Sequence, residues 1–163
     1  MATLQTLFPP HLTTPRLTLQ LYNRSPAHYT TLLSAMNSPT AHTHMGDFGV
    51  RTPAEFDAFN ARARTLDARF QDGVADDDLY YLIRLGVGNA EGELVGGVSL
   101  SQRRARDSQG GEIVLPPDVG WCLLEGYMGR GYATEAAGEL MRFAREVVGW
   151  REMVAFASER NPA

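Results

Sequence analysis

One cysteine, no lysine and no long apolar run are what first distinguish this sequence of 163 residues. The lone thiol, Cys122, cannot close an internal disulfide, and no second cysteine stands by to help hold zinc. Nothing therefore points to an oxidising compartment, and a cytoplasmic location is expected. No apolar stretch approaches the ~18 residues of a membrane helix, and the start lacks the basic and apolar regions of a secretory leader. Membrane insertion is not expected. All fifteen basic residues are arginine, so the chain offers no side-chain amine of its own for modification. At a net charge of -4 it lacks the cationic excess that favours phosphate backbones, so nucleic acid is not an expected partner.

What is present fits a single domain over residues 1–163. With 44% hydrophobic and 21% charged residues the chain can bury one real core, and no repeat or low-complexity tract interrupts it. Met1 to Thr14 sets Pro9 and Pro10 among Leu7, Phe8 and Leu12 and reads as a loosely held arm. Leu17, Leu19 and Leu21 then alternate with polar residues, which predicts a strand with one buried face. Ser25 and Pro26 open a helix with Tyr29, Leu32, Leu33 and Met36 inward, ending near Asn37. Residues 37–50, with Pro39, Gly46, Gly49, His42 and His44, read as a loop. Thr52-Pro-Ala-Glu55 has capping-box spacing and predicts a helix from Pro53 to about Gln71, with Phe56, Phe59, Ala63, Leu66 and Phe70 at helical spacing.

Residues 79–85 and 93–100, joined by a turn over 88–92, predict an antiparallel hairpin. Residues 102–111 are polar and arginine-rich and read as a mobile connection. A further strand is expected within residues 112–124, broken by Pro116 and Pro117. Its ordered part, 118–124, leads through Glu125-Gly-Tyr-Met-Gly-Arg-Gly-Tyr132 into a helix with Ala136, Leu140, Phe143, Ala144 and Val147 inward. Gly149 ends that helix, and residues 151–157 read as a parallel strand.

Gly129 and Gly131, with small Ala133 after them, let the backbone approach a ligand and turn several N–H groups towards one point. The helix start adds the positive end of its dipole, so phosphate or pyrophosphate is the expected guest, with Arg130 as an added charge. An ordinary tight turn would use the same glycines. A dinucleotide site is disfavoured because Thr134 stands at its third glycine, and no Gly-Lys-Ser/Thr offers a P-loop.

In the order of its elements and in two stretches the chain resembles the GNAT acyltransferase superfamily, within it the branch of ribosomal-protein alanine N-acetyltransferases. Thr14-Pro-Arg-Leu-Thr-Leu19 is similar to that branch's opening strand. Gly120-Trp-Cys-Leu-Leu124 with Tyr127-Met-Gly-Arg-Gly-Tyr-Ala-Thr-Glu-Ala-Ala137 is similar to its acetyl-CoA motif. The resemblance implies an α+β (α/β) fold with a mixed, mostly antiparallel central sheet flanked by helices. It implies acetyl-CoA as co-substrate, no metal, and acetyl transfer to a primary amine, a protein N-terminus or a small amine, by direct attack in a ternary complex. It further implies that Met128, Gly129, Arg130, Gly131, Tyr132, Ala133 and Thr134 hold the pyrophosphate. Trp121, Cys122 and Leu123 would line the rest of the donor, Asn161 would contact CoA, and a backbone N–H near Trp121 or Cys122 would polarise the thioester carbonyl. Met128 departs from the family's Gln or Arg at a position where the contact runs largely through the backbone.

Asp118 occupies the place where related sequences carry Glu and is the candidate general base, with Glu112 and Glu125 behind it. Glu135 suits the first helical turn, where a carboxylate complements the dipole. Cys122 has no histidine near it in the sequence and lies on an apolar strand, so core packing is a better reading than nucleophile. His42 and His44 have no evident third partner for a metal. The loop around them, with Tyr22, is where the family builds its acceptor pocket, making His44 and Phe48 the implied substrate contacts. Arg103, Arg104 and Arg106 read as a solvated cluster.

Family members continue past Ala163 with a helix and hairpin that are missing here. The chain is therefore expected to be a C-terminally truncated enzyme, or a short form that forms a homodimer through its open sheet edge. Two other readings stay open: a CoA-binding or dimerisation module without catalysis, and a nucleotide-binding regulatory domain.

Overall fold

The computed structural model describes residues 8–60, 79–101, 104–157 and 159. Its sheet is built around Leu17–Leu21 (β2), where Leu17 and Leu19 enter the core and are fully buried. Thr18 between them is buried as well, and its hydroxyl donates to the Gly86 carbonyl at 2.6 Å. β2 pairs antiparallel with Leu79–Leu85 (β3), β3 with Leu94–Ser101 (β4), and β4 with Asp118–Leu123 (β7). With His11–Thr13 (β1) outside β2, the five strands run in the order β1-β2-β3-β4-β7. Arg104–Arg106 (β5) and Glu112–Val114 (β6) form a separate hairpin. The architecture is the expected α+β one, an antiparallel sheet flanked by helices.

Pro26–Met36 (α1) packs on β4 and β7, with Pro39–Met45 (α2) and Pro53–Asn60 (α3) beside it. Leu32, Val50, Phe56 and Leu82 form the core beneath them. Both predicted caps form. Ser25 Oγ accepts from the His28 N–H at 3.4 Å, and Thr52 and Glu55 exchange backbone N–H bonds of 3.2 and 3.0 Å. The expected inward Ala63, Leu66 and Phe70 lie outside the described residues. On the other face Tyr132–Phe143 (α4) buries Ala136, Ala137 and Leu140 against Leu17, Leu19, Tyr81, Val98 and Leu123. No helix among the described residues is long and apolar enough to cross a membrane.

Several sequence expectations are corrected. The supposed loose arm is anchored from Phe8 onward. That ring is 2% exposed and lies 5.2 Å from Phe143, and β1 pairs with β2, so burial of Phe8 and Leu12 outweighs the two prolines. Within the expected loop of residues 37–50, Ser38 caps α2. The expected connection contains β5 and ends at a tight turn where Asp107 Oδ1 accepts from the Gln109 and Gly111 N–H groups. Val147 is exposed and Val148 buried, because Ala144–Val148 is a π turn whose extra residue advances the inward position by one. Of the expected parallel strand, only Val154 bridges to β7, opposite Asp118.

His28 is a buried polar residue that the helical pattern did not require. It is 1% exposed. Its Nδ1 accepts from the Asn23 N–H, leaving Nε2 to donate to Gln20 Oε1 at 3.3 Å. Burial first, and the Arg84 guanidinium second, lower its pKa from 6.5 to about 4, so the folded protein holds it neutral. The unfolded chain is thus the first to take up the proton as pH falls. Stability from this residue is whole above pH 6.5 and is lost progressively down to about pH 4, roughly 3 kcal/mol in all. Urea midpoints across that range should record the fall, and His28→Asn should flatten it. An unchanged slope in the variant would assign the fall to other groups.

Candidate functional site

The site begins where β7 ends. A single tight turn, Glu125–Tyr127, follows, and the Met128 N–H closes it on the Glu125 carbonyl at 3.3 Å. Gly129 and Gly131 then adopt φ of 73° and 80°, left-handed values at which a Cβ is strained. Gly131 is the N-cap of α4 and brings no side chain to it. The first intrahelical bond is Glu135 N–H to Gly131 carbonyl, 3.0 Å, so the N–H groups of Tyr132, Ala133 and Thr134 come before the ladder starts. Such an uncapped start, with the positive end of the helix dipole behind it, has the chemistry to receive an anion. Met128 itself has given its N–H to the turn. Arg130 lies 5.5 Å over the Tyr127 ring, at the rim of the same turn.

The turn is held from beneath by residues that precede β2. Glu135 accepts from the Arg16 backbone N–H at 2.9 Å, from Arg16 Nε at 2.6 Å and from the Thr14 hydroxyl. Burial alone would raise this carboxyl's pKa. The bonds from Thr14 and Arg16 outweigh that and hold it below the ordinary value. Arg16 Nη1 also donates to the Arg130 carbonyl at 3.1 Å, and its guanidinium lies 4.9 Å over the Tyr132 ring. Read from sequence, Glu135 has a dipole role only. The signal for its partners was there, in two polar side chains flanking Pro15 just before an alternating strand.

β7 supplies the second half of the site. Its Val119 N–H donates to the Val154 carbonyl at 2.9 Å, away from β4, whereas the Leu124 N–H donates to Val95 of β4 at 2.8 Å. Direction alternates along a strand, so Trp121 and Leu123 aim their N–H groups at the outer edge and Cys122 aims its own at β4. Among the described residues that edge is bridged only at Asp118. Side chains alternate across the sheet too: Val119 and Leu123 join the core under α4, and Trp121 on the same face is 45% exposed.

The opposite face of β7 carries Asp118, Gly120 and Cys122. Asp118 is 3% exposed and accepts from the Ser101 hydroxyl at 2.9 Å. Gly120 leaves room for Ser99, whose Oγ stands 3.0 Å from where a Cβ would be. Cys122 packs against the Leu32 and Phe56 core; burial pushes its thiol up to about 11, offset in part by a Gly97 backbone bond, so it stays protonated. That agrees with a packing role.

The other described candidates lie on separate segments of the chain. Glu125 accepts from the Thr40 hydroxyl, which ties α2 to the turn. His44 lies in α2 and is half-buried, while Phe48 is exposed with its ring 5.6 Å from Phe59. Glu112 opens β6, in the hairpin outside the main sheet. Asn161 lies outside the described residues. Beside α1, the Tyr22 ring stands 5.8 Å from Tyr29 and 5.9 Å from Tyr80; its buried hydroxyl has no hydrogen-bond partner among the described residues. Tyr80 donates to Asn60 and Tyr29 to Asp57, giving this face a polar and aromatic lining. Among the described residues no group of His, Cys, Asp or Glu converges as a metal site.

Residues 16–163 match the family model for the acetyltransferase (GNAT) domain. The acetyltransferase from Agrobacterium tumefaciens str. C58 is similar in structure, with a TM-score of 0.63 and 28% identity over 94% of this chain and 77% of that one. A GNAT-family acetyltransferase from Bacillus anthracis shares the fold, with a TM-score of 0.55 and 14% identity over 89% of this chain and 72% of that one. No curated protein matches the chain.

Proposed function

The chain belongs to the GNAT acetyltransferase family, and from that premise we propose that the turn after β7 receives the pyrophosphate of acetyl-CoA while the β7 edge presents the thioester to a primary amine. GNAT enzymes take their acyl group from acetyl-CoA and deliver it to small-molecule or peptide amines. The observation that carries the reading is the pair of left-handed glycines opening an uncapped helix beside the outer edge of β7. Gly129, Arg130, Gly131, Tyr132, Ala133 and Thr134 hold the phosphates through backbone N–H groups, and Arg130 adds charge at the rim. Met128 shapes the turn rather than donating.

The outward N–H groups of Trp121 and Leu123 serve the donor arm, and one of them stabilises negative charge on the thioester oxygen as the amine attacks. Asp118 takes the proton the amine sheds, with Ser101 orienting its carboxylate. Cys122 stays protonated and forms no acyl bond, which favours direct transfer in a ternary complex. The acceptor enters over the Tyr22 face. His44, on the helix that Thr40 ties to Glu125, and Phe48 just beyond it bound the acceptor there. The acceptor class is a primary amine, on a protein N-terminus as in the ribosomal-protein alanine branch, or on a small molecule.

Calorimetry with acetyl-CoA, followed by thiol release with a panel of N-terminal peptides and small amines, tests this. Acetyl-CoA should bind, and Gly131→Val should weaken it about tenfold or more, since a left-handed β-branched residue is strained. Binding without thiol release for any amine would assign the chain to the CoA-binding modules. A folded sample that binds no acetyl-CoA sinks the reading.

A further inference from the structure

We infer that Arg16, with Thr14 and Glu135, is a positioning clamp that holds the glycine turn in its anion-receiving shape; its bearing on donor affinity rests on the reading above. Three observations converge on Arg16. Its Nε and its backbone N–H both bond Glu135, one turn into α4, at 2.6 and 2.9 Å. Its Nη1 reaches the carbonyl of Arg130, the residue between the two left-handed glycines, at 3.1 Å. Its Nη2 stands 3.3 Å from where a Cβ on Gly131 would lie, so the guanidinium backs the turn at its tightest point.

The electrostatics give the clamp its purpose. A carboxylate at position 135 sits close to the N–H groups meant for an anion, and left unpaired it would compete for them and repel a pyrophosphate. Arg16 and Thr14 occupy its oxygens from the side facing β2 and keep it ionised there. Thr14 is itself fixed, 8% exposed, with its hydroxyl oxygen accepting from the Leu17 N–H at 2.9 Å. The start of β2 and the start of α4, more than a hundred residues apart in sequence, thus form one unit. A planar fork is needed to reach Glu135 and the Arg130 carbonyl together; a lysine ammonium can replace the charge but not that geometry.

Arg16→Gln and Arg16→Lys are compared with the parent by hydrogen exchange and by acetyl-CoA titration. Exchange at the Glu135 and Ala136 amides, measured against that of β3, is expected to rise in Arg16→Gln. Acetyl-CoA affinity is expected to fall about tenfold, with a partial loss in Arg16→Lys and a smaller change in kcat than in KM. Exchange that stays unchanged relative to β3 overturns the clamp, whatever the donor does. Raised exchange with acetyl-CoA affinity within twofold of the parent overturns its bearing on donor binding. A parent protein that binds no acetyl-CoA, yet shows raised exchange in Arg16→Gln, supports the clamp and overturns the donor reading alone.

Discussion

Gly96→Val is expected to cost about 4 kcal/mol or more, which approaches the whole stability of a domain this size. A Cβ on Gly96 would lie 2.2 Å from the Cys122 carbonyl oxygen and 2.9 Å from the Leu123 Cα. Both obstacles are backbone, so no rotamer change relieves them. Strand β7 would have to leave β4 at the Gly96–Leu123 pair, where the outward Leu123 N–H and the Leu124 bond to Val95 are also set. The neighbouring Gly97 is an internal control. Its Cβ would meet the Leu32 Cδ2 at 2.5 Å, the far end of a flexible side chain, so Gly97→Ala should cost only about 1–2 kcal/mol. Urea unfolding of both variants checks the pair. A Gly96→Val protein as stable as the parent would mean that β4 and β7 do not pair in this register.

That glycine also marks what a single sequence could disclose. Leu94-Val-Gly-Gly-Val98 reads as a strand from composition, but the need for glycine comes from a strand that arrives some twenty-five residues later. Signals contained in one turn were legible. The Thr52–Glu55 box, the Ser25 cap and the Gly149 terminator all form, because each is a bond between residues a few positions apart. Helix α2 carries mixed signals: Ser38-Pro39 repeats the cap and first-turn proline of Ser25-Pro26, but the two glycines and two histidines that follow favour a loop. The glycine turn between strand and helix was legible too, since its chemistry is local. Its support was not, because Thr14 and Arg16 meet Glu135 only through the sheet. The direction of each β7 N–H likewise depends on pairing with β4, so Cys122 could not be told from Trp121 and Leu123 beforehand.

Asp118→Asn should lower kcat by about a hundredfold or more while leaving acetyl-CoA affinity near that of the parent, if this carboxylate takes the amine's proton. The split follows from position. Asp118 opens β7 and the glycine turn follows its other end, so a change at 118 leaves residues 129–134 untouched. Asparagine matches aspartate in shape, and its amide oxygen can still accept from Ser101. The β7 start is also held by backbone bonds through Val119 and Val154, which the substitution leaves intact. Ser101→Ala, which keeps the base and removes one orienting bond, should reduce kcat far less. The competing assignment is a buried structural acid, and it predicts the reverse pattern, a lowered midpoint of unfolding with thiol release unimpaired in the folded fraction. That outcome would assign the base to Glu125 instead, the carboxylate tied to α2 through Thr40.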